Sequence, residues 1–311
     1  MKTINAYLSI ARPDHWFKNV FMLPGVLFGI LLTEDLPDNW GWLLVLGFIS
    51  ACLIASANYV INEWLDREFD KYHPKKNARP SVDGKVRWYF VYLEYLVLAV
   101  SGLYLGSFVS DQFFFFSVVF LVLGFIYNVP PLRTKERTYL DVLTESLNNP
   151  VRFLLGWAIV ETNYLPPSSV LLAYWMGGAF LMGIKRFAEY RFIGDPKKAG
   201  LYRRSFKYYT ENSLLISSFF YAMSAAFFLG VFLIKHRIEY LLILPFFSFL
   251  FAWYLQIGLS ADSSAQSPEK LYREKYFIAY LGILCVVFLV LTFVDLPELK
   301  FLLDRSLIEW K

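Results

Sequence analysis

The chain has 311 residues, of which 57% are hydrophobic, 20% aromatic and only 18% charged, with a mean hydropathy of +0.44. Soluble proteins carry roughly a quarter charged residues, so an ordinary water-soluble domain is excluded. A net charge of +4 says little by its size, and no nucleic-acid partner is expected.

In chain order, residues 1–19 lack an apolar core and contain Arg12, Asp14 and Lys18, so no cleavable leader is expected. Apolar blocks of about twenty residues, the length that crosses a bilayer as a helix, then follow between polar breaks. They predict an all-α integral membrane protein with nine transmembrane helices, near 16–32, 42–59, 88–106, 113–127, 142–160, 168–184, 214–234, 240–258 and 276–294. Pro24 interrupts the first of these. Trp and Tyr recur at the ends, as in interfacial belts. No soluble domain or low-complexity linker breaks the pattern, so residues 1–311 are expected to form one membrane domain. Cys52 and Cys285 both fall in apolar blocks, where a disulfide or a thiolate metal site is not expected.

Sorting the 30 Lys and Arg by alternate loops puts 24 on one face, five on the other and Arg152 inside the fifth span. The five are Lys235, Arg237, Lys300, Arg305 and Lys311. Cytoplasmic loops retain Lys and Arg, so the N-terminus and charged loops are expected in the cytoplasm and the C-terminus outside, across the inner (plasma) membrane. The inner loops after the second and sixth spans are long and carry both charge signs, which points to a site on that face.

The loop after the second span carries Asn62, Glu63, Asp66 and Asp70, then His73, Lys76 and Arg79 before Pro80. Asn62, Asp66 and Asp70 are four apart and share one helix face. Oxygen ligands so spaced suit Mg²⁺, which takes one or two carboxylates and leaves its other positions to water and phosphate oxygens. Lys76 and Arg79 follow as cations for the remaining phosphate charge. A solvated helix with internal ion pairs would account for the three spaced residues alone, but not for the whole ordered string. The three histidines are scattered without metal-ligand spacing, and His73 is expected to order its loop.

That string resembles the first aspartate-rich motif of the UbiA-type intramembrane prenyltransferases, commonly NDxxDxxxD. Glu63 stands here where that motif has its second residue, Asp. Aromatic prenyltransferases of the superfamily have another DxxxD after the sixth span. Here the chain reads Lys185-Arg186-Phe187-Ala188-Glu189, a poorer metal site and a better anion site. With Arg12-Pro13 through Lys18-Asn19, and with Arg203 to Thr210, it resembles one branch, the decaprenyl-phosphate phosphoribosyltransferases. Arg152 is costly within a span and is expected to face a cavity or a partner; that branch has an acidic residue and an Arg at positions that Asp141 and Arg152 resemble.

The resemblance implies transfer of 5-phosphoribose from phosphoribosyl diphosphate to a polyprenyl phosphate in the bilayer. It implies Mg²⁺ as cofactor on Asn62, Asp66 and Asp70, which are also the catalytic residues. The expected substrate-binding residues are Arg12, Lys18, Asn19, Lys76, Arg79, Asp141, Arg152, Lys185, Arg186 and Glu189. Prenyl transfer from a diphosphate to an aromatic or other small acceptor is the alternative, and homo-oligomerisation is left open. A secondary transporter fits less well, because the charge is concentrated at one face rather than at mid-membrane.

Overall fold

The computed structural model describes residues 2–33, 36–260, 263–266 and 268–303. Arg305, Lys311 and the C-terminus, assigned above to the outer face, lie outside the described residues. Among the described residues the chain forms twelve α-helices joined by turns and 3-10 segments, with no strand.

The first apolar block is a composite. α1 (Lys2–Ala11) leads into a 3-10 segment (Pro13–Met22) and then α2 (Leu23–Leu32). Pro24 lies in the first turn of α2, where a missing N–H breaks no intrahelical bond. The interruption expected at Pro24 is therefore the start of a helix.

α3 (Trp40–Asp70) is 31 residues long, about 46 Å at 1.5 Å per residue, and outruns a hydrocarbon core of about 30 Å. Its last turns thus carry Asn62, Asp66 and Asp70 out of the bilayer without breaking their shared face. After α4 (Trp88–Gly106) and α5 (Asp111–Asn128), a turn with a cis Pro130–Pro131 bond leads to α6 (Leu140–Ser146) and α7 (Asn148–Val160). α8 (Ser168–Ile193) also runs past its apolar stretch, and Gly194 ends it in the left-handed conformation. α9 (Pro196–Tyr202), α10 (Glu211–His236), α11 (Leu244–Leu259) and α12 (Lys275–Phe293) complete the bundle. α10 opens on a capping box between Thr210 and Ser213.

Seven segments among the described residues, rather than the expected nine, are long and apolar enough to cross a membrane. The other two expected spans fall on α6–α7, which Leu147 divides, and on α8, whose C-terminal half holds Lys185, Arg186, Glu189 and Arg191. α6 and α7, at 7 and 13 residues, are each too short to cross alone, and the charged residues of α8 lower its hydropathy.

Among the described residues one buried cluster joins α2, α3, α5 and α7, another joins α8, α10, α11 and α12, and a third around Phe153, Trp157 and Phe232 links the two. α2 and α7 meet backbone to backbone. A Cβ on Gly25 would lie 2.0 Å from Phe153 O, and one on Gly156 would lie 1.9 Å from Met22 O. Small residues permit such approach where lipid gives helices no hydrophobic drive to associate. The ends of α3 and α8, residues 71–87 and 129–139, and the chain around α9 gather at one end of the bundle.

Candidate active site

At that end α3 presents its acids to a cleft of about 310 Å³, lined by Asp66, Phe69, Asp70, Arg133, Lys135, Glu136, Tyr202, Arg203 and Arg204. Asp66 Oδ1 accepts from Arg133 Nη2 at 2.9 Å and pairs with Lys135 Nζ at 2.6 Å. Lys135 Nζ also donates to Asn128 Oδ1 at 2.8 Å, and the same oxygen accepts from Asn62 Nδ2. Burial, with Arg133 alongside, pushes the Lys135 ammonium down to about 8. One turn on, Arg79 Nη1 donates to Asp70 Oδ2. Glu63, the departure from the familiar motif, accepts from Arg12 Nη2 at 2.9 Å and Ser81 Oγ at 3.3 Å, and lies 3.9 Å from Arg79 Nε, so it shares that guanidinium with Asp70.

Among the described residues three non-glycine residues have positive φ, at Arg12 (49°), Arg133 (30°) and Tyr139 (65°). Such geometry costs about 1–3 kcal/mol each and gathers at functional sites. Here the Arg12 and Arg133 guanidiniums are anchored on Glu63 and Asp66.

α8 adds a buried ionic network. Glu189 Oε1 takes Lys76 Nζ at 2.6 Å and Tyr202 OH at 2.9 Å, while Arg186 Nη1 donates to Oε2 at 3.3 Å. Lys76 also donates to Tyr202 OH. Burial lowers the Lys76 ammonium pKa against the opposing pull of Glu189. Arg186, only 2% exposed, bonds Glu145 and lies 3.7 Å from Asp141. Asp141 is fully buried and accepts from Ser205 Oγ (2.9 Å) and Tyr209 OH (2.8 Å). His73 Nδ1 accepts from the backbone N–H of Lys75 and Lys76, and burial with the Lys76 charge takes its pKa down to about 4. It is a loop-ordering acceptor.

The remaining expected residues lie on the membrane side. Arg152 Nε donates to Asn19 Oδ1 at 2.9 Å, and Asn19 Nδ2 to Cys52 Sγ at 3.2 Å. Arg152 therefore stands with Asn19, apart from Asp141. Lys18 Nζ lies 3.0 Å from His15 Nδ1, and His15 packs edge-on against Tyr59. Lys185 lies on α8, one turn before Glu189.

The structure thus joins Asn62, Asp66, Asp70, Lys76, Arg79, Arg186 and Glu189 around one end of the bundle, and sets Lys18, Asn19, Arg152 and Lys185 beneath them. Sequence reasoning did not single out Arg133, Lys135, Asn128 or Tyr202, nor Tyr127, whose hydroxyl donates to Glu145 Oε2 at 2.6 Å and accepts from Arg186 Nη2 at 3.1 Å. The signal for Arg133 and Lys135 was a short cationic inner loop after a Pro-Pro turn.

Hard oxygen donors on one helix face beside a cationic cleft suit a divalent cation that shares its coordination with a diphosphate. Among the described residues no three His, Cys, Asp or Glu form a complete metal cluster. Asp66, Asp70 and the Asn62 amide would supply a partial set, with phosphate oxygens and water for the rest.

The comparisons agree with this architecture. The chain is 27% identical over 214 residues to a decaprenyl-phosphate phosphoribosyltransferase of Mycolicibacterium smegmatis, covering 68% of this chain and 64% of that one. It is 28% identical to the nodulation protein NoeC of Azorhizobium caulinodans, covering 65% and 62%. A protoheme IX farnesyltransferase of Alkalihalophilus pseudofirmus matches at 27%, covering 63% and 64%. The chain therefore spans under two thirds of the length of these curated relatives. In fold it is similar to a UbiA homologue of Archaeoglobus fulgidus solved with GPP and Mg²⁺, at a TM-score of 0.68 and 23% identity, over 90% of this chain and 99% of that one. Residues 22–281 match the UbiA prenyltransferase family, and this multi-pass helical chain belongs to it.

Proposed function

We propose that the protein transfers 5-phosphoribose from phosphoribosyl diphosphate to a polyprenyl phosphate and releases diphosphate. The observation that carries this reading is the state of the α8 acid. The end of α8 carries a single acid, Glu189, next to Lys185 and Arg186, so it has no second aspartate pair to share a metal. Relatives named decaprenyl-phosphate phosphoribosyltransferase add support.

Asn62, Asp66 and Asp70 would hold Mg²⁺, which neutralises charge on the departing diphosphate as a Lewis acid. Arg133, Lys135, Arg203 and Arg204 line the cleft to hold diphosphate oxygens, with Arg79 and Lys76 at its edge. The bond from the anomeric carbon to the diphosphate oxygen breaks through an oxocarbenium-like state. A lipid phosphate oxygen forms the new bond to that carbon. A phosphate monoester has its second pKa near 6, so the acceptor arrives as a competent anion. No general base is needed, in keeping with the structural role of His73.

In this reading the whole chain is one domain of the inner membrane, with α6–α7 and α8 as the fifth and sixth of nine crossings. The N-terminus and cleft face the cytoplasm, where the water-soluble donor is found. The polyprenyl phosphate lies in the bilayer, and nothing in the mechanism requires a second subunit.

The second reading is prenyl transfer from a diphosphate to a small acceptor, favoured by the protoheme farnesyltransferases at similar identity. Both reactions share metal-assisted departure of diphosphate. Parallel incubations distinguish them: phosphoribosyl diphosphate with polyprenyl phosphate, and a prenyl diphosphate with an aromatic acid. Turnover of the first pair alone supports phosphoribosyl transfer; turnover of the second alone replaces it.

A further inference from the structure

Asn128 closes α5 and is only 3% exposed, yet several polar groups of the site meet on it. Its Nδ2 donates to Gly124 O at 2.8 Å, and its Oδ1 accepts from Lys135 Nζ at 2.8 Å and from Asn62 Nδ2. Its backbone carbonyl accepts from Arg133 Nη1 at 3.0 Å, while Nη2 of the same guanidinium is on Asp66. Asn58, one turn before Asn62, packs against Gly124, one turn before Asn128, so α3 and α5 approach closely at this level.

The orientations of both amides follow from these partners. A backbone carbonyl only accepts and an ammonium only donates. Asn128 must therefore turn its NH2 group to Gly124 and its oxygen to Lys135. Asn62 then meets an acceptor and must present its own NH2 group. Its carbonyl oxygen is left over, on the helix face of Asp66 and Asp70, and accepts no hydrogen bond among the described residues. An Asn62 amide without that partner is free to turn over, and the turned state offers a cation N–H groups instead of a lone pair.

We infer that Asn128 is a positioning residue for the divalent cation, fixing the Asn62 amide so that its oxygen joins Asp66 and Asp70. The same Asn128 oxygen keeps Lys135 beside Asp66 at the cleft. The aspartate-rich motif does not include it, because Asn128 lies 66 positions from Asn62 at the end of another helix. Groups that orient a metal ligand change metal affinity by about 10–100-fold when removed. The inference rests on the metal assignment above, and it holds whichever donor carries the diphosphate.

The test is Mn²⁺, standing in for Mg²⁺, titrated with equimolar inorganic diphosphate into the full chain in detergent, with bound Mn²⁺ read by EPR. Asn128→Leu, close in size and without an acceptor, is expected to weaken Mn²⁺ about tenfold or more. Asn62→Asp puts an oxygen at each end of the side chain, so its orientation no longer matters. In that background Asn128→Leu is expected to cost much less, and the charge added by Asn62→Asp cancels between the two arms of the cycle. Loss by the same factor in both backgrounds would make Asn128 a purely structural residue and overturn the inference. Asn128→Ala removes the acceptor without adding bulk and takes the same cycle if Asn128→Leu does not fold. Asp66→Asn separates the two claims. Loss of Mn²⁺ in Asp66→Asn but not in Asn128→Leu would overturn the positioning role alone. Wild-type Mn²⁺ binding in Asp66→Asn would overturn the metal assignment, and the role of Asn128 with it.

Discussion

Lys76 Nζ lies 2.6 Å from Glu189 Oε1, tying the loop after α3 to the end of α8 across 113 positions of sequence. The Glu189 side chain is 3% exposed and that of Lys76 25%, and without Lys76 the carboxylate keeps Arg186 and Tyr202. Each single loss is therefore expected to cost about 1–3 kcal/mol. Lys76→Met and Glu189→Gln should each lower the thermal midpoint in detergent. The double variant should be more stable than the sum of the two losses predicts, and strict additivity would show that the pair does not couple the loops.

Asp66 and Asp70 should be required for turnover. Asp66→Asn keeps the size of the side chain but removes half the carboxylate pair, and is expected to lower kcat by about 10³-fold or more. The variant should elute from size exclusion as wild type does, and chelation by EDTA should stop the native protein. Full activity of Asp66→Asn in Mg²⁺ would remove the metal assignment.

His73 predicts a pH effect on stability. Its folded pKa is near 4, against about 6.5 unfolded. Between those values the unfolded chain binds more protons, so its contribution is fully present above 6.5 and is lost as pH falls through 4. His73→Asn can place an amide oxygen where Nδ1 accepts from Lys75 and Lys76, and should flatten the decline. His73→Ala leaves those two N–H groups unpaired, at a cost of about 1–3 kcal/mol. Turnover of His73→Asn should keep the wild-type pH profile, and loss of one limb would make His73 a proton carrier.

Gly156→Ala should fail in the membrane half of the molecule. Its Cβ would meet Met22 O at 1.9 Å, a backbone atom that no rotamer change can move. Overpacking costs typically about 1–3 kcal/mol. Gly282→Ala, where nothing lies within 4 Å, is the control and should leave the thermal midpoint unchanged.

The row Asn62, Asp66 and Asp70 was legible because it lies on one uninterrupted helix, where a spacing of four fixes the shared face. Its cationic partners were not. Arg133 and Lys135 arrive from a turn more than sixty residues away, and Arg133 takes a left-handed backbone that no local pattern announces. Arg186 and Glu189 read as an open anion site from their own segment, but Glu145, Asp141 and Lys76 close it from elsewhere in the chain. Arg152 was expected to face a cavity or a partner, and the 3-10 segment brings Asn19 to it. The apolar blocks gave the bundle, while the break at Leu147 between α6 and α7 and the charged end of α8 were not legible as parts of two apolar blocks.

The central claim is that phosphoribose, not a prenyl group, moves. Phosphoribosyl diphosphate labelled on its 5-phosphate, incubated with purified protein, Mg²⁺ and polyprenyl phosphate, tests it most directly. The label should enter the lipid phase, while label placed on the diphosphate stays in water. If the 5-phosphate label remains in water while a prenyl diphosphate is consumed with an aromatic acid, the protein is a prenyltransferase and the phosphoribosyl reading is wrong.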